Sequence, residues 1–312
     1  MNKLKSMIVA VLSVAMIGVF AGCGSAESKS EGSNEVRTVS TLKGDVEIPA
    51  NPERIVDISG SSEELVILGH VPVGTANVDS YETDKVASYI TDKLGKATVV
   101  GHSMMDTMDM EAILAANPDL IIMSERQSKI YDDLAKIAPV VMMKDYANDW
   151  RDKLIDVSKL FDQEEDANKW LASYDEKAKN LGNEVKEKNG DKTYLTVLAS
   201  SGQFMVFTDA GIGTIVNDDM GLSRPSNLPE QEGITLPVLS MEGLTEIDAD
   251  NIILIGTEAD KSDLAKSTVW QNIRAVKEGN VTILDASPFF SQSYNPIGKE
   301  LLLESIKNEL IK

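Results

Sequence analysis

Apolar and polar positions change their spacing several times along this chain. From residue 54 to residue 143, short apolar runs alternate with helical patterns. Residues 54–58, 71–76, 98–101, 119–123 and 139–143 are predicted strands. Residues 61–68, 83–93, 110–116 and 126–136 are predicted helices. The first of these helices has Ser61 at its cap, Glu63 and Glu64 in its first turn, and Gly69 as its stop. Strands separated by helices of about 10–15 residues indicate parallel βαβ units.

Between residues 148 and 188 the strand pattern disappears. Leu154, Val157, Leu160 and Phe161, then Trp170, Leu171, Tyr174 and Leu181, recur at helical spacing. Residues 163–188 are predicted to run as one helix of ~39 Å, and Asn189-Gly190 ends it. Strands resume at 193–198, and further βα units follow to the last residue. The chain therefore reads as an α/β protein of two Rossmann-like lobes joined by a single long rigid helix. The expected divisions are 36–147 for the first lobe, 148–190 for the spanning helical region and 191–312 for the second lobe.

An internal echo supports two lobes. Met110, Glu111, Ile113, Asp119, Ile121 and Ile122 are matched by Met241, Glu242, Leu244, Asp250, Ile252 and Ile253. Each copy reads as a short helix feeding a buried parallel strand. Open α/β sheets bind ligands at the carboxyl ends of their strands. Two such lobes would face each other across a ligand cleft.

The first 35 residues follow neither pattern. A basic start with Lys3 and Lys5 precedes an apolar run from Met7 to Ala21 and then Gly22-Cys23. This is the layout of a secretory signal, shorter than the ~20 residues of a spanning helix. The site resembles a bacterial lipobox, with Phe20 where that motif usually carries Leu. Residues 1–22 are expected to be a lipoprotein signal peptide and Cys23 the lipidated residue. Residues 23–35 are rich in Ser, Gly, Glu and Lys and are expected to be a flexible tether.

Composition narrows the chemistry. Net charge is −20, and losing Lys3 and Lys5 with the signal takes it to −22. That argues against nucleic acid and against polybasic docking to anionic lipid. Cys23 is the only cysteine, so disulfides and cysteine metal sites are excluded. The two histidines, His70 and His102, are far apart, and no metal motif or nucleophile–base pair is present. No metal site is expected.

Several segments then carry a family likeness: 52–58 with its Ser-rich helix start, 110–122, 126–139, the spanning helix, 269–279, and Tyr294-Asn-Pro-Ile-Gly298. Their order and spacing resemble the lipid-anchored substrate-binding proteins of ABC importers for ferric siderophores, haem and cobalamin. The stretch from Arg126-Gln127 through Tyr131-Asp132 to Ala138-Pro139 is similar to catecholate-siderophore binders. Gly221-Leu-Ser-Arg-Pro225 is similar to a segment of several ferric-siderophore binders. The resemblance implies capture of a ferric siderophore and its delivery to a permease and ATPase complex. It also implies a monomer held at the extracytoplasmic face of the cell membrane, with no cofactor. The chain departs from the catecholate binders in having no histidine beyond His102 and no arginine in 203–217 or 257–263. The iron is therefore expected already wrapped by a catecholate, hydroxamate or citrate-type chelator.

Candidate residues follow. After Cys23 the chain has six arginines, and Arg126 and Arg224 fall on loops facing the expected cleft. Guanidinium gives bidentate, charge-assisted bonds to anionic oxygens, so the ligand is expected to bridge the lobes through these two. Other strand-end candidates are Ser61, Asn77, Tyr81, Met104, Ser124, Phe204, Thr257, Phe289 and Tyr294. Trp270 reads as structural. In cobalamin-type relatives a glutamate at this helix start on each lobe pairs with permease arginines, which implies docking roles for Glu111 and Glu242. Haem or cobalamin is the alternative cargo, with His102 and Met104 as possible axial groups for haem. An enzyme or a structural lipoprotein is the remote alternative.

Overall fold

A computed structural model describes residues 35–312. The expected signal peptide, Cys23 and nearly all of the tether lie outside the described residues. The described chain opens on an antiparallel hairpin, β1 (Val36–Thr41) and β2 (Gly44–Pro49), which the spacing of apolar residues did not announce. β3 (Ile55–Asp57), β4 (Gly74–Thr75), β5 (Thr98–Val99), β6 (Leu120–Ser124) and β7 (Val140–Met143) then form one parallel sheet, in the order β5-β4-β3-β6-β7. β6 is buried along its whole length, as a central parallel strand covered on both faces must be.

Two helices follow, Trp150–Lys159 and Glu164–Asn189. The second has 26 residues and starts one position after the expected start. Its buried face carries Ala167, Tyr174, Ala178, Leu181 and Val185. Gly182 lets it approach the second lobe closely, because a Cβ there would lie 1.9 Å from the Met220 carbonyl oxygen. Tyr174 donates to Asp219 at 2.7 Å, and Arg151 pairs with Asp219 at 2.9 Å and with Asp175 at 2.7 Å. The bonds to Asp219 fasten both helices to the second lobe, and the Arg151–Asp175 pair ties the helices to each other.

The second lobe holds β8 (Tyr194–Ser200), β9 (Gln203–Val206), β10 (Val238–Leu239), β11 (Asn251–Gly256) and β12 (Val281–Asp285), in the order β10-β9-β8-β11-β12. β8, β11 and β12 are parallel, whereas β9 and β10 are antiparallel additions. The β8–β9 turn places Ser201 and Gly202 at φ 51° and 80°, the two positive values that a tight hairpin turn demands.

The echoed segments occupy equivalent places. Helix Met110–Ala115 leads to β6 and helix Met241–Thr245 leads to β11, and each strand lies between the first and last strands of its lobe. The echoed aspartates do one job twice. Asp119 accepts N–H from Glu53 and Arg54 at 2.7 and 2.9 Å. Asp250 accepts the Thr193 N–H at 3.0 Å. Each satisfies the backbone just before the first strand of its five-stranded sheet. The lobes are therefore related in hydrogen bonding as well as in pattern.

The first helix keeps its first-turn acids but not the Ser cap expected of it. Ser61 makes no side-chain cap bond, and Glu63 and Glu64 are fully buried. Among the described residues no helix is long and apolar enough to cross a membrane.

Candidate functional site

A cavity of about 320 Å³ lies between the lobes. The carboxyl ends of all five strands of the first-lobe parallel sheet feed it. After β3, Asp57 is fully buried and accepts from Ser59 N–H at 2.9 Å, Ser59 Oγ at 2.6 Å and Ser62 Oγ at 2.6 Å. Burial pushes its carboxyl up despite those donors. The bonds fold the Ser-rich turn so that Ser59, Gly60 and Ser61 line the cavity. Gly60 sits at φ 83°, and a Cβ there would press on Ser103 Oγ at 3.0 Å.

β4 leads to Asn77, whose N–H donates to Thr75 Oγ1 at 2.9 Å. β5 leads to His102 and Met104; the His102 Nδ1 accepts the Met104 N–H at 3.1 Å, and burial lowers its pKa. β6 ends at Ser124, which forms a reciprocal capping box with Gln127 and so fixes the following turn that carries Arg126. β7 leads to Lys144, Tyr146 and Asn148 on the same wall.

Cations outnumber carboxylates on this wall, where Asp145 is the one acid among the lining residues. Arg126 forms an ion pair with Asp145. Lys144 is exposed, lies over the Tyr146 ring at 4.7 Å from its centre, and has no carboxylate partner among the described residues. Lys153 reaches in from helix Trp150–Lys159, donating to the Gly60 carbonyl at 2.8 Å and pairing with buried Glu64 at 2.9 Å. The second lobe brings no cation. It offers Ile234, Leu236, Phe290, Ser291, Tyr294 and Asn295. Phe290 and Tyr294 stand 5.2 Å apart, and burial pushes the Tyr294 hydroxyl up.

Of the expected site residues, Ser61, Asn77, Met104, Ser124, Arg126 and Tyr294 come together on this cavity. Tyr81 is exposed at its edge, with its ring edge-on to Phe290 at 5.9 Å. Four others are placed elsewhere. Arg224 is held by Asp218 at 2.5 Å and Asp209 at 3.1 Å, away from the cavity wall. Phe204 is in the second-lobe core, stacked on Trp270 at 6.1 Å. It lies on antiparallel β9 rather than at the end of a parallel strand. Thr257 caps helix Glu258–Lys266 through Asp260. Phe289 packs against the second-lobe core, and its neighbour Phe290 faces the cavity. Of the two arginines expected to bridge the lobes, Arg126 lines the cavity and Arg224 does not.

Sequence reasoning missed Lys144, Tyr146, Lys153, Phe290, Ile234 and Leu236. The strand-end rule reaches Lys144, the residue after β7, so a signal was there. Lys153 gives none, because its reach depends on how its helix packs. Glu111 and Glu242 are exposed in the first turns of their helices and make no ion pair among the described residues. Their separation from the cavity wall fits no ligand contact.

Comparison with known proteins agrees with the fold. A family model described as periplasmic binding protein matches residues 57–288. The chain is 31% identical over 304 residues to the probable siderophore-binding lipoprotein YfiY of Bacillus subtilis, covering 91% of each chain. Among solved structures it is similar to a Bacillus subtilis protein of the FhuD fold family, described as a periplasmic binding protein component of a ferrichrome ABC transporter. The TM-score is 0.72 at 28% identity, over 88% of this chain and 100% of that one. Staphylococcus aureus SirA, solved with staphyloferrin B, superposes with a TM-score of 0.70 at 25% identity, over 88% of this chain and 98% of that one.

Proposed function

The chain belongs to the periplasmic binding protein family, and from that premise we propose that it captures a ferric siderophore between its lobes and delivers it to an ABC importer. The observation that carries this reading is the polarity of the cavity. Arg126, Lys144 and Lys153 stand on one side, and Phe290, Tyr294, Ile234 and Leu236 on the other. Anionic oxygens of a chelate accept charge-assisted bonds from the first side. The organic framework lies against the second, as in most small-molecule sites, where apolar walls carry a few placed polar groups. Iron is cargo here, enclosed by its chelator, and the protein acts by binding rather than by catalysis. The relatives named as siderophore binders and siderophore complexes support the same cargo.

Delivery needs a place and a docking surface. Residues 1–22 act as signal peptide, Cys23 carries the lipid, and residues 23–35 tether a monomer at the outer face of the cell membrane. Glu111 and Glu242 then present one carboxylate per lobe to the permease. Their equivalent positions in the internal echo support this assignment.

Fluorescence of Trp150, Trp170 and Trp270 tests the function. Trp150 is three residues from Lys153 and packs edge-on against Trp170 and Tyr174. The chain from residue 24 is titrated with ferric catecholate, hydroxamate and citrate chelates, haem and cobalamin. Saturable quenching by one ferric chelate class is expected. Quenching by haem or cobalamin alone moves the cargo within the family, and silence across the panel overturns the reading.

A further inference from the structure

Glu63 is fully buried in helix Ser62–Ile67 of the first lobe, yet its bonds reach the second lobe. Its Oε2 accepts the N–H groups of Ile297 at 2.9 Å and Gly298 at 3.0 Å. These amides open the 15-residue helix Pro296–Leu310. Its Oε1 accepts the hydroxyl of Tyr89, from the turn Ser88–Ile90. All three partners donate; they draw the carboxyl pKa down, and burial, the larger effect, outweighs them. The helix's own cap residue, Asn295, makes no side-chain cap bond. A carboxylate from the other lobe satisfies the orphan amides and meets the positive end of the helix dipole.

The location ties this bond to the cavity. Ser59, Gly60 and Ser61 line one wall and end two residues before Glu63. Tyr294 and Asn295 line the opposite wall and end two residues before Ile297. Glu64, next in the chain, holds Lys153, which reaches the first wall at the Gly60 carbonyl. One helical turn therefore reaches both walls through two buried carboxylates.

We propose that Glu63 is a positioning residue for ligand binding, whose bonds to Ile297 and Gly298 set the spacing between the two cavity walls. The proposal rests on the cavity being the ligand site. The groups facing Glu63 are Glu64 on its own helix, with Lys153 behind it, and Tyr89, with Asp79 behind that. From helix Pro296–Leu310 only backbone amides face it, and Lys299 on that helix faces Asp219, Asp218 and Arg151. Burial raises Glu63 from 4.5 to about 7. Separating the walls hydrates the carboxylate and returns it toward its ordinary value. The joined state then holds the proton more tightly, so the joint is firmest below about 4.5 and loosens as pH rises to 7.

Hydrogen-exchange protection of the Ile297 and Gly298 amides, corrected for intrinsic rates, tests the joint at pH 5.5 and 7.5. In the wild type, protection falls about tenfold or more over that range. In Glu63→Gln, which keeps an acceptor but cannot titrate, it changes less than about twofold. Affinity for ferric citrate at pH 7.5 falls about tenfold or more in Glu63→Ala and is restored to within about threefold in Glu63→Gln. The proposal is overturned if Glu63→Gln keeps the wild-type pH profile, or if Glu63→Ala protects both amides like the wild type. Should Glu63→Ala fail to fold, the Glu63→Gln profile decides alone. The exchange arm needs no ligand, so failure of the joint is distinguishable from failure of the functional reading.

Discussion

Replacing Lys153 by Met removes the one cation beside a carboxylate that has no access to water. Glu64 is fully buried, Lys153 pairs with it at 2.9 Å, and neither carboxylate oxygen finds a further side-chain partner. Burial raises the Glu64 pKa, and Lys153 is the main opposing influence. Without Lys153 the native state must either hold an unpaired buried charge, at about 3–5 kcal/mol, or take up a proton. The sign follows from linkage. A carboxyl raised above its ordinary 4.5 in the folded state stabilises fully below that value and loses its contribution as pH rises. Lys153→Met therefore loses little stability at pH 5 and about 3 kcal/mol or more at pH 8. The companion Glu64→Gln/Lys153→Met leaves no charge to compensate and recovers most of the loss. Denaturant unfolding followed by tryptophan fluorescence at the two pH values measures all three proteins. A loss below about 1 kcal/mol at pH 8, or an equal loss at pH 5, refutes the reasoning.

Other outcomes follow from the same geometry. Arg126→Ala weakens binding of an anionic ferric chelate about tenfold to a hundredfold. It costs less than about 1 kcal/mol in unfolding, because its ion pair with Asp145 is half open to solvent. Arg224→Ala, whose guanidinium is held by Asp209 and Asp218, leaves affinity within about twofold in the same titration. Gly182→Ala drives a methyl against the Met220 carbonyl and lowers unfolding stability by about 2 kcal/mol or more, read as a shift of the thermal midpoint. Glu111→Lys with Glu242→Lys leaves chelate affinity intact and abolishes iron uptake by cells carrying the variant. Retained uptake removes both residues from the docking surface.

Most of the fold was legible because it rests on periodicity. The buried strand β6, the 26-residue helix and the echo at Asp119 and Asp250 each depend on local spacing, which one sequence displays. The hairpin β1–β2 and the antiparallel β9 were not legible, since strands this short offer too few positions to display an alternation. The site was legible only where it follows strand ends. Ser124 ends a parallel strand, Arg126 and Ser61 follow within four residues of one, and the cavity draws on all three. Lys153 sits mid-helix and reaches the cavity through its bond to the Gly60 carbonyl, a contact across 93 positions. Phe289 and Phe290 are adjacent, and only the register of their helix decides which one faces the cavity. Glu63 and Glu64 have the pattern of ordinary first-turn acids. Their burial comes from tertiary packing, and no local signal separates them from solvated ones.

The central claim is that a ferric chelate sits with its anionic face on the first lobe and its organic face on the second. Calorimetric titration of the chelate that quenches tryptophan most strongly, into wild type and into Arg126→Ala/Lys144→Ala, tests it most directly. The account predicts saturable one-to-one binding to wild type and a loss of about a hundredfold or more in the double variant, with an unchanged melting midpoint. Equal affinity for the two proteins would contradict it.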